Sequence, residues 1–188
     1  MDMDGDLEAL MARYQAGDFT AARSLIERLS PRLHSFLAAQ AANRVDADDM
    51  LQDAWLRIHR VRHTYRPGGP LLPWVYAIAR RVRVDHYRIA VRTAMREQRF
   101  EEASNAVADT AGDGRPAEGL AELLAPLPPS QREVLELLKV AGMSLEEVAQ
   151  ATSSSVGSVK QKVHRAYEKL RRTMGLMESD KRHSGVAP

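Results

Sequence analysis

Apolar residues recur along this chain at helical spacing, in short stripes punctuated by turn residues, which predicts an all-α protein. Leu7, Leu10, Met11 and Tyr14 form the first stripe. Ala22, Leu25, Ile26 and Leu29 form the second, which Ser30-Pro31 is expected to interrupt before Leu33, Phe36 and Leu37 resume it. A third helix starts near Asp46, where Asp46, Asp48 and Asp49 favour the positive end of the helix dipole, and Leu51, Ala54, Trp55 and Ile58 form its inward face. After the turn-rich loop from Arg62 to Leu72, Pro73 opens a long helix at its first position.

The C-terminal third repeats one local grammar. Ser130 with Glu133, and Ser144 with Glu147, have capping-box spacing, in which the serine hydroxyl accepts the third residue's N–H and the glutamate reaches back to the serine N–H. Val134, Leu137, Leu138 and Ala141 line the first of these helices, and Gly142 is placed to end it in a left-handed conformation. The second helix is short, because Thr152-Ser153-Ser154 breaks its pattern. Ser155 then caps a third helix, whose stripe is Val159, Val163, Ala166 and Leu170. Helices this short and this closely joined make a helix-turn-helix. Between the two helical regions, residues 100–126 are rich in Ala, Gly, Asp and Glu, with six acids set against Arg115. That stretch is either a plain flexible tether or a segment suited to a basic channel of a partner. The expected organisation is two small helical domains, 1–99 and 127–174, joined by a flexible acidic linker over 100–126 and followed by a disordered tail at 175–188.

Composition changes this picture little and charge changes it a great deal. A chain of 188 residues with 44% hydrophobic content can hold one large domain or two small ones, and the stripes favour two. It has no cysteine, which removes disulfides and thiolate metal sites. The acidic N-terminus is followed by no long apolar run, so neither a signal peptide nor a membrane span is expected, and the expected compartment is the cytoplasm. The net charge is only +2, yet the cations are concentrated. Lys160, Lys162, Arg165, Lys169, Arg171 and Arg172 face a single acid, Glu168, between 155 and 172; seven arginines face Asp85 and Glu97 between Arg80 and Arg99. Such patches are the electrostatic footprint of phosphate contact.

Ser155, Ser158, Lys160, Gln161, Lys162, His164 and Arg165 are the side-chain types that hydrogen-bond base edges and phosphates from a helix in the major groove. The plainer alternative is an ordinary solvated face. In the long helix, arginines interleave with Trp74, Tyr76 and Tyr87, as in single-strand binders, where bases stack on rings. Trp74 and Tyr76 could equally be core. On the third helix, Asp49, Gln52, Asp53, Leu56 and Arg57 set acids, an amide and an exposed leucine side by side on the outward face, which suits docking onto a basic partner helix better than plain solvation. Enzymatic chemistry finds no support. His59 and His63 lack a third ligand, Asp85-His86 lacks a nucleophile, and Gly68-Gly69 sits between prolines rather than before a Lys and Ser/Thr. No catalytic residue, metal, cofactor or small-molecule substrate is expected.

Three motifs, Asp46 to Arg57, Pro73 to Arg88, and Leu127 to Val134 with the helix-turn-helix, together resemble the extracytoplasmic-function group of bacterial sigma factors, in that family's order and spacing from about Leu7 to Arg172. The resemblance implies a region-two helical bundle over 1–99 and a region-four helix-turn-helix over 127–174. It implies that Asp49, Gln52, Asp53 and Leu56 grip core RNA polymerase. It implies that Tyr65, Arg66, Arg80, Arg81, Arg83 and Arg88 melt and read the minus-ten promoter element, and that the Ser155 to Arg165 group reads the minus-thirty-five element as duplex. It also implies control by an anti-sigma factor, often held at the membrane, in a stress response. Two positions depart from the family pattern: Arg81 replaces a common asparagine, and Ser153 stands where a turn glycine is usual. The runner-up is a conventional helix-turn-helix regulator that binds duplex DNA without joining polymerase; it leaves the arginine-rich long helix unexplained.

Overall fold

In the computed structural model, which describes residues 3–39, 44–101 and 123–183, the chain divides into two compact units, Met1–Gly114 and Arg115–Pro188. The described residues hold helices and no strand. In the first unit these are α1 (Met3–Gln15), α2 (Phe19–Ala38), α3 (Arg44–Val61), a 3-10 turn at Arg62–Thr64, and α4 (Leu71–Glu101). The second unit holds α5 (Pro129–Lys139), α6 (Leu145–Ala151) and α7 (Val156–His183). Of the expected linker, residues 102–122 lie outside the described residues, as do 184–188 of the expected tail.

Leu7, Leu10, Met11 and Tyr14 of α1 are all buried, as their spacing predicts. The turn out of α1 is built by Gly17 at φ +95°, whose N–H donates to the Tyr14 carbonyl at 3.0 Å while Asp18 N–H donates to the Arg13 carbonyl at 3.0 Å. Asp18 then caps α2, accepting from Thr20 N at 2.9 Å and Ala21 N at 3.1 Å. The Ala21 N–H and the Arg13 guanidinium hold this carboxyl down at about 2.

Pro31 does not interrupt α2, contrary to the sequence expectation. A proline inside a helix costs about 3 kcal/mol, but Leu25, Leu29, Leu33, Phe36 and Leu37, on both sides of it, are completely buried and hold the helix together. On α3 the fully buried stripe is Ala47, Met50, Ala54 and Ile58, with Leu51 and Trp55 only half-buried at its edge. Trp55 reaches across to donate to the Ser30 hydroxyl at 3.0 Å. Helix α4 begins at Leu71 rather than at Pro73. Pro73 is tolerated there because the first turn of a helix has no internal partner for its N–H groups.

The Ser144–Glu147 capping box is present, with Glu147 N donating to Ser144 Oγ at 3.1 Å and Ser144 N donating to Glu147 Oε2 at 2.8 Å. The expected Ser130–Glu133 box is not. Helix α5 starts one step earlier, with Pro129 in its first turn, and the Pro128 carbonyl takes the N–H groups of Gln131 (2.9 Å) and Arg132 (3.0 Å). Gly142, at φ +71°, closes the turn after α5. Leu124, Leu127, Leu135, Ala166 and Leu170 form one apolar cluster with Val163 against it, so the packing of this unit reaches back beyond Leu127. Arg132 locks that entry, donating to the carbonyls of Leu124 (3.2 Å), Ala125 (2.8 Å) and Leu127 (3.3 Å). Helix α7 runs to His183, past Gly175 where the disordered tail was expected. A single glycine weakens a helix by only about 1 kcal/mol, and no proline follows it until Pro188.

The corner of the helix-turn-helix rests on Ser153, at φ +50°. Ser153 N–H donates to the Gln150 carbonyl at 3.2 Å and Ser154 N–H to the Ala149 carbonyl at 2.9 Å, the paired bonds of a helix end that prefers glycine at this position. Thr152 Oγ1 donates to the Val148 carbonyl at 2.7 Å and lies 2.8 Å from Ser154 Oγ, which helps to hold the strained residue. Ser153→Gly is therefore expected to stabilise this unit by roughly 0.5–1 kcal/mol, raising its thermal midpoint by a few degrees. Calorimetry showing a lower midpoint would place the strain elsewhere.

Candidate functional site

Three surfaces carry the residues singled out by sequence. On α3, Asp49 and Gln52 are exposed, and Leu56 leaves 48% of its surface in water among them. Asp53 is different. It is half-buried in an ion cluster that joins α3 to α4: Arg57 donates to Asp53 Oδ2 at 3.2 Å and to Asp85 Oδ2 at 2.7 Å, and His86 Nε2 lies 3.5 Å from Asp53 Oδ2. The Arg57 guanidinium holds the Asp85 carboxyl below the usual carboxylate range, and Asp85 raises Arg57 in return. His59, at the edge of the same face, shares a 2.5 Å hydrogen bond with the Tyr14 hydroxyl. The Tyr14 hydroxyl thus orients this ring through Nδ1.

The loop and α4 form the second surface, and here the structure corrects the sequence expectation at Tyr65 and Arg83 and decides Tyr76 in favour of the core. Tyr65 is buried, 4% exposed, with its hydroxyl donating to the Gly69 carbonyl and its ring centroid 5.6 Å from that of Trp74. From α1, Gln15 Nε2 donates to the carbonyls of Arg62 (2.5 Å) and Tyr65 (2.8 Å), pinning the loop. Tyr65 is therefore scaffold, and no base can stack on it without unpacking the loop. Arg83 is likewise buried at 6%, its guanidinium 4.2 Å over the Phe36 ring in a cation–π contact. Tyr76 is core, edge-on to Phe36 at 5.2 Å, and its burial raises the pKa of its hydroxyl.

What remains in water is Arg66, Arg81 and Arg88, with Arg80 half-buried and engaged. Of the three aromatics that the sequence interleaves with arginines, Tyr87 alone is exposed, at 69%. Tyr87 shares helical phase with Tyr76, Arg80 and Arg83, so its spacing alone places it in the core stripe. The helix outruns the core, however, and the same stripe surfaces at Tyr87.

The third surface is α7. Val159, Ala166 and Leu170 are buried and Val163 half-buried, so the opposite side is the one left to face outward. Ser155 Oγ accepts the Ser158 N–H at 3.2 Å, starting the helix as its capping position predicts. Lys160, Gln161, His164 and Arg165 are exposed, and Ser158 and Lys162 are half-buried. Helical phase puts Ser158, Lys162 and Arg165 along one edge of the exposed surface and Lys160 and His164 along the other, with Gln161 between them. His164 Nε2 lies 3.6 Å from Glu168 Oε1.

Comparison with known proteins gives a consistent result. Residues 25–93 match the sigma-70 region 2 family and residues 117–170 match sigma-70, region 4. The RNA polymerase sigma factor CarQ of Myxococcus xanthus is 35% identical over 177 residues, covering 89% of this chain and 97% of the relative. The ECF RNA polymerase sigma factor SigF of Caulobacter vibrioides is 32% identical over 175 residues, covering 92% and 96%. Among solved structures, CnrH in complex with the cytosolic domain of CnrY aligns with a TM-score of 0.70 at 24% identity, covering 94% of this chain and 99% of that one. The sigma factor RpoE in complex with the anti-sigma factor NepR from Bartonella quintana aligns at 0.62 and 21%, covering 81% and 96%. These two show a shared fold.

Proposed function

The chain belongs to the extracytoplasmic-function sigma factors of bacterial RNA polymerase, and from that premise we propose which residues carry each step. The protein binds core polymerase and directs promoter-specific initiation. Residues 1–99 dock on the polymerase and open the minus-ten element, 127–174 read the minus-thirty-five element, and the acidic stretch between them tethers the two. Asp49, Gln52 and Leu56 form the docking patch, with Asp53 oriented from within its ion cluster. Arg66, Arg80, Arg81 and Arg88 hold the backbone of the opened strand. Ser155, Ser158, Lys160, Gln161, Lys162, His164 and Arg165 face the duplex, with only one edge of α7 able to reach base edges at a time. The protein acts as a non-enzymatic subunit in the cytoplasm, where the polymerase works. An anti-sigma factor is its expected inhibitor, since the patch on α3 and the basic helices offer a complementary partner surfaces of both signs.

The observation that carries this division of labour is the pairing of two basic helices of unlike design. Helix α7 is sealed on one face and polar on the other, as groove insertion requires. Helix α4 projects a free aromatic ring among arginines, as strand capture requires. Tyr87 supplies the test. Stacking of a base on an aromatic ring contributes roughly 1–3 kcal/mol, so Tyr87→Ala is expected to slow promoter opening about tenfold or more, while Tyr87→Phe retains it. 2-Aminopurine placed in the minus-ten element reports the opening, and equal rates for the alanine variant and the parent would remove Tyr87 from the melting surface.

A further inference from the structure

We propose that Arg57 is a positioning residue that couples polymerase docking to capture of the opened strand, an inference that rests on the sigma-factor function given above. One guanidinium serves two carboxylates. It bonds Asp53 on the docking helix (3.2 Å) and Asp85 on the DNA-facing helix (2.7 Å). His86 Nε2 stands 3.5 Å from the same Asp53 oxygen, so Arg57 is the group that bonds both carboxylates, with His86 near Asp53.

The placement of Asp85 gives this joint its consequence. Asp85 lies four residues after Arg81 and three before Arg88, so the three side chains share one face of α4. An acid on that face competes with DNA phosphate for both arginines. The charges of Arg81 and Arg88 do favour its ionised form, though less than the Arg57 hydrogen bond does. While Arg57 neutralises Asp85, Arg81 and Arg88 stay available to the strand. When a polymerase cation takes up Asp53, the Arg57 guanidinium is left wholly to Asp85, and His86 remains near the vacated side. Docking thereby reinforces the neutralisation of Asp85 beside Arg81 and Arg88. Removing Arg57 does the reverse: it leaves Asp53 loosely held and Asp85 free to bind Arg81 and Arg88.

The coupling separates from a merely structural role in a double-substitution series on the full chain, assayed with core polymerase and a promoter duplex. Arg57→Gln is expected to lower the rate of opening about tenfold at saturating core, the scale of losing one partner of a close charge pair. The slope of promoter binding against salt becomes shallower by about one, because a phosphate contact is given up to Asp85. Adding Asp85→Asn to Arg57→Gln restores opening and the salt slope. It does not restore core affinity, which depends on Asp53. Arg57→Lys, a point charge that cannot hold both carboxylates at once, falls between parent and Arg57→Gln. The inference is overturned if Arg57→Gln opens promoters like the parent, or if Asp85→Asn fails to rescue it while circular dichroism shows both variants folded. Failure of the parent itself to initiate with core would instead overturn the sigma-factor reading, so the two failures are distinguishable.

Discussion

Leu56→Asp is expected to weaken binding to core polymerase by about 100-fold, the scale of losing a central apolar anchor and placing an unpaired charge in its pocket. Leu56 is a large apolar residue standing 48% exposed on a helix face with Asp49, Gln52, Asp53 and Arg57 around it. Nothing inside the first unit needs it there, since Ala47, Met50, Ala54 and Ile58 already seal α3 to the core. The thermal midpoint should therefore change little, and Leu56→Met, which keeps volume and apolarity, should bind like the parent. Fluorescence anisotropy of labelled chain titrated with core measures the affinity. A Leu56→Asp variant with parental affinity would move the docking site off α3.

The second large effect is expected on α7. The double substitution Lys162→Ala with Arg165→Ala should reduce use of the minus-thirty-five element about 100-fold, since each good contact to a base edge contributes roughly 1–3 kcal/mol. Both residues lie on the edge shared with Ser158, with Arg165 exposed and Lys162 half-buried beside the stripe of Val159, Ala166 and Leu170. The unit should stay folded, and discrimination between the element and unrelated duplex should fall with it. Lys160→Ala with His164→Ala, on the opposite edge, should cost much less if the duplex meets the first edge. Equal losses from both pairs would mean that α7 enters the groove centred on Gln161 instead.

What could be seen in the sequence was what depends on neighbours in sequence. The Ser144 capping box, the Ser155 cap, the Gly142 turn and the apolar stripe of α7 are all set within one or two helical turns, and periodicity exposes them. Ser153 was recognisable as a misfit for the same reason, and its φ of +50° is the physical form of that misfit. The errors arose where distant residues decide. Tyr65 is buried because Gln15, far away in the chain, ties down its loop. Arg83 is buried because Phe36 offers it a ring, and Pro31 stays helical because residues on both of its flanks are sealed into the core. Tyr87 shows the converse: its helical phase is that of a core residue, and only the reach of the core along α4 reveals that it is exposed. The Arg57 joint was invisible for a related reason, as Asp53 and Asp85 belong to different helices and meet only once α3 packs on α4.

Multi-round transcription with sigma-free core polymerase, the full-length chain and a promoter library tests the central claim most directly. The expected result is initiation at defined start sites, dependent on the chain, lost with Leu56→Asp and redirected or weakened by Lys162→Ala with Arg165→Ala. Transcripts that appear equally with and without the chain, or no initiation at any site while the chain alone holds promoter duplex tightly, would contradict it.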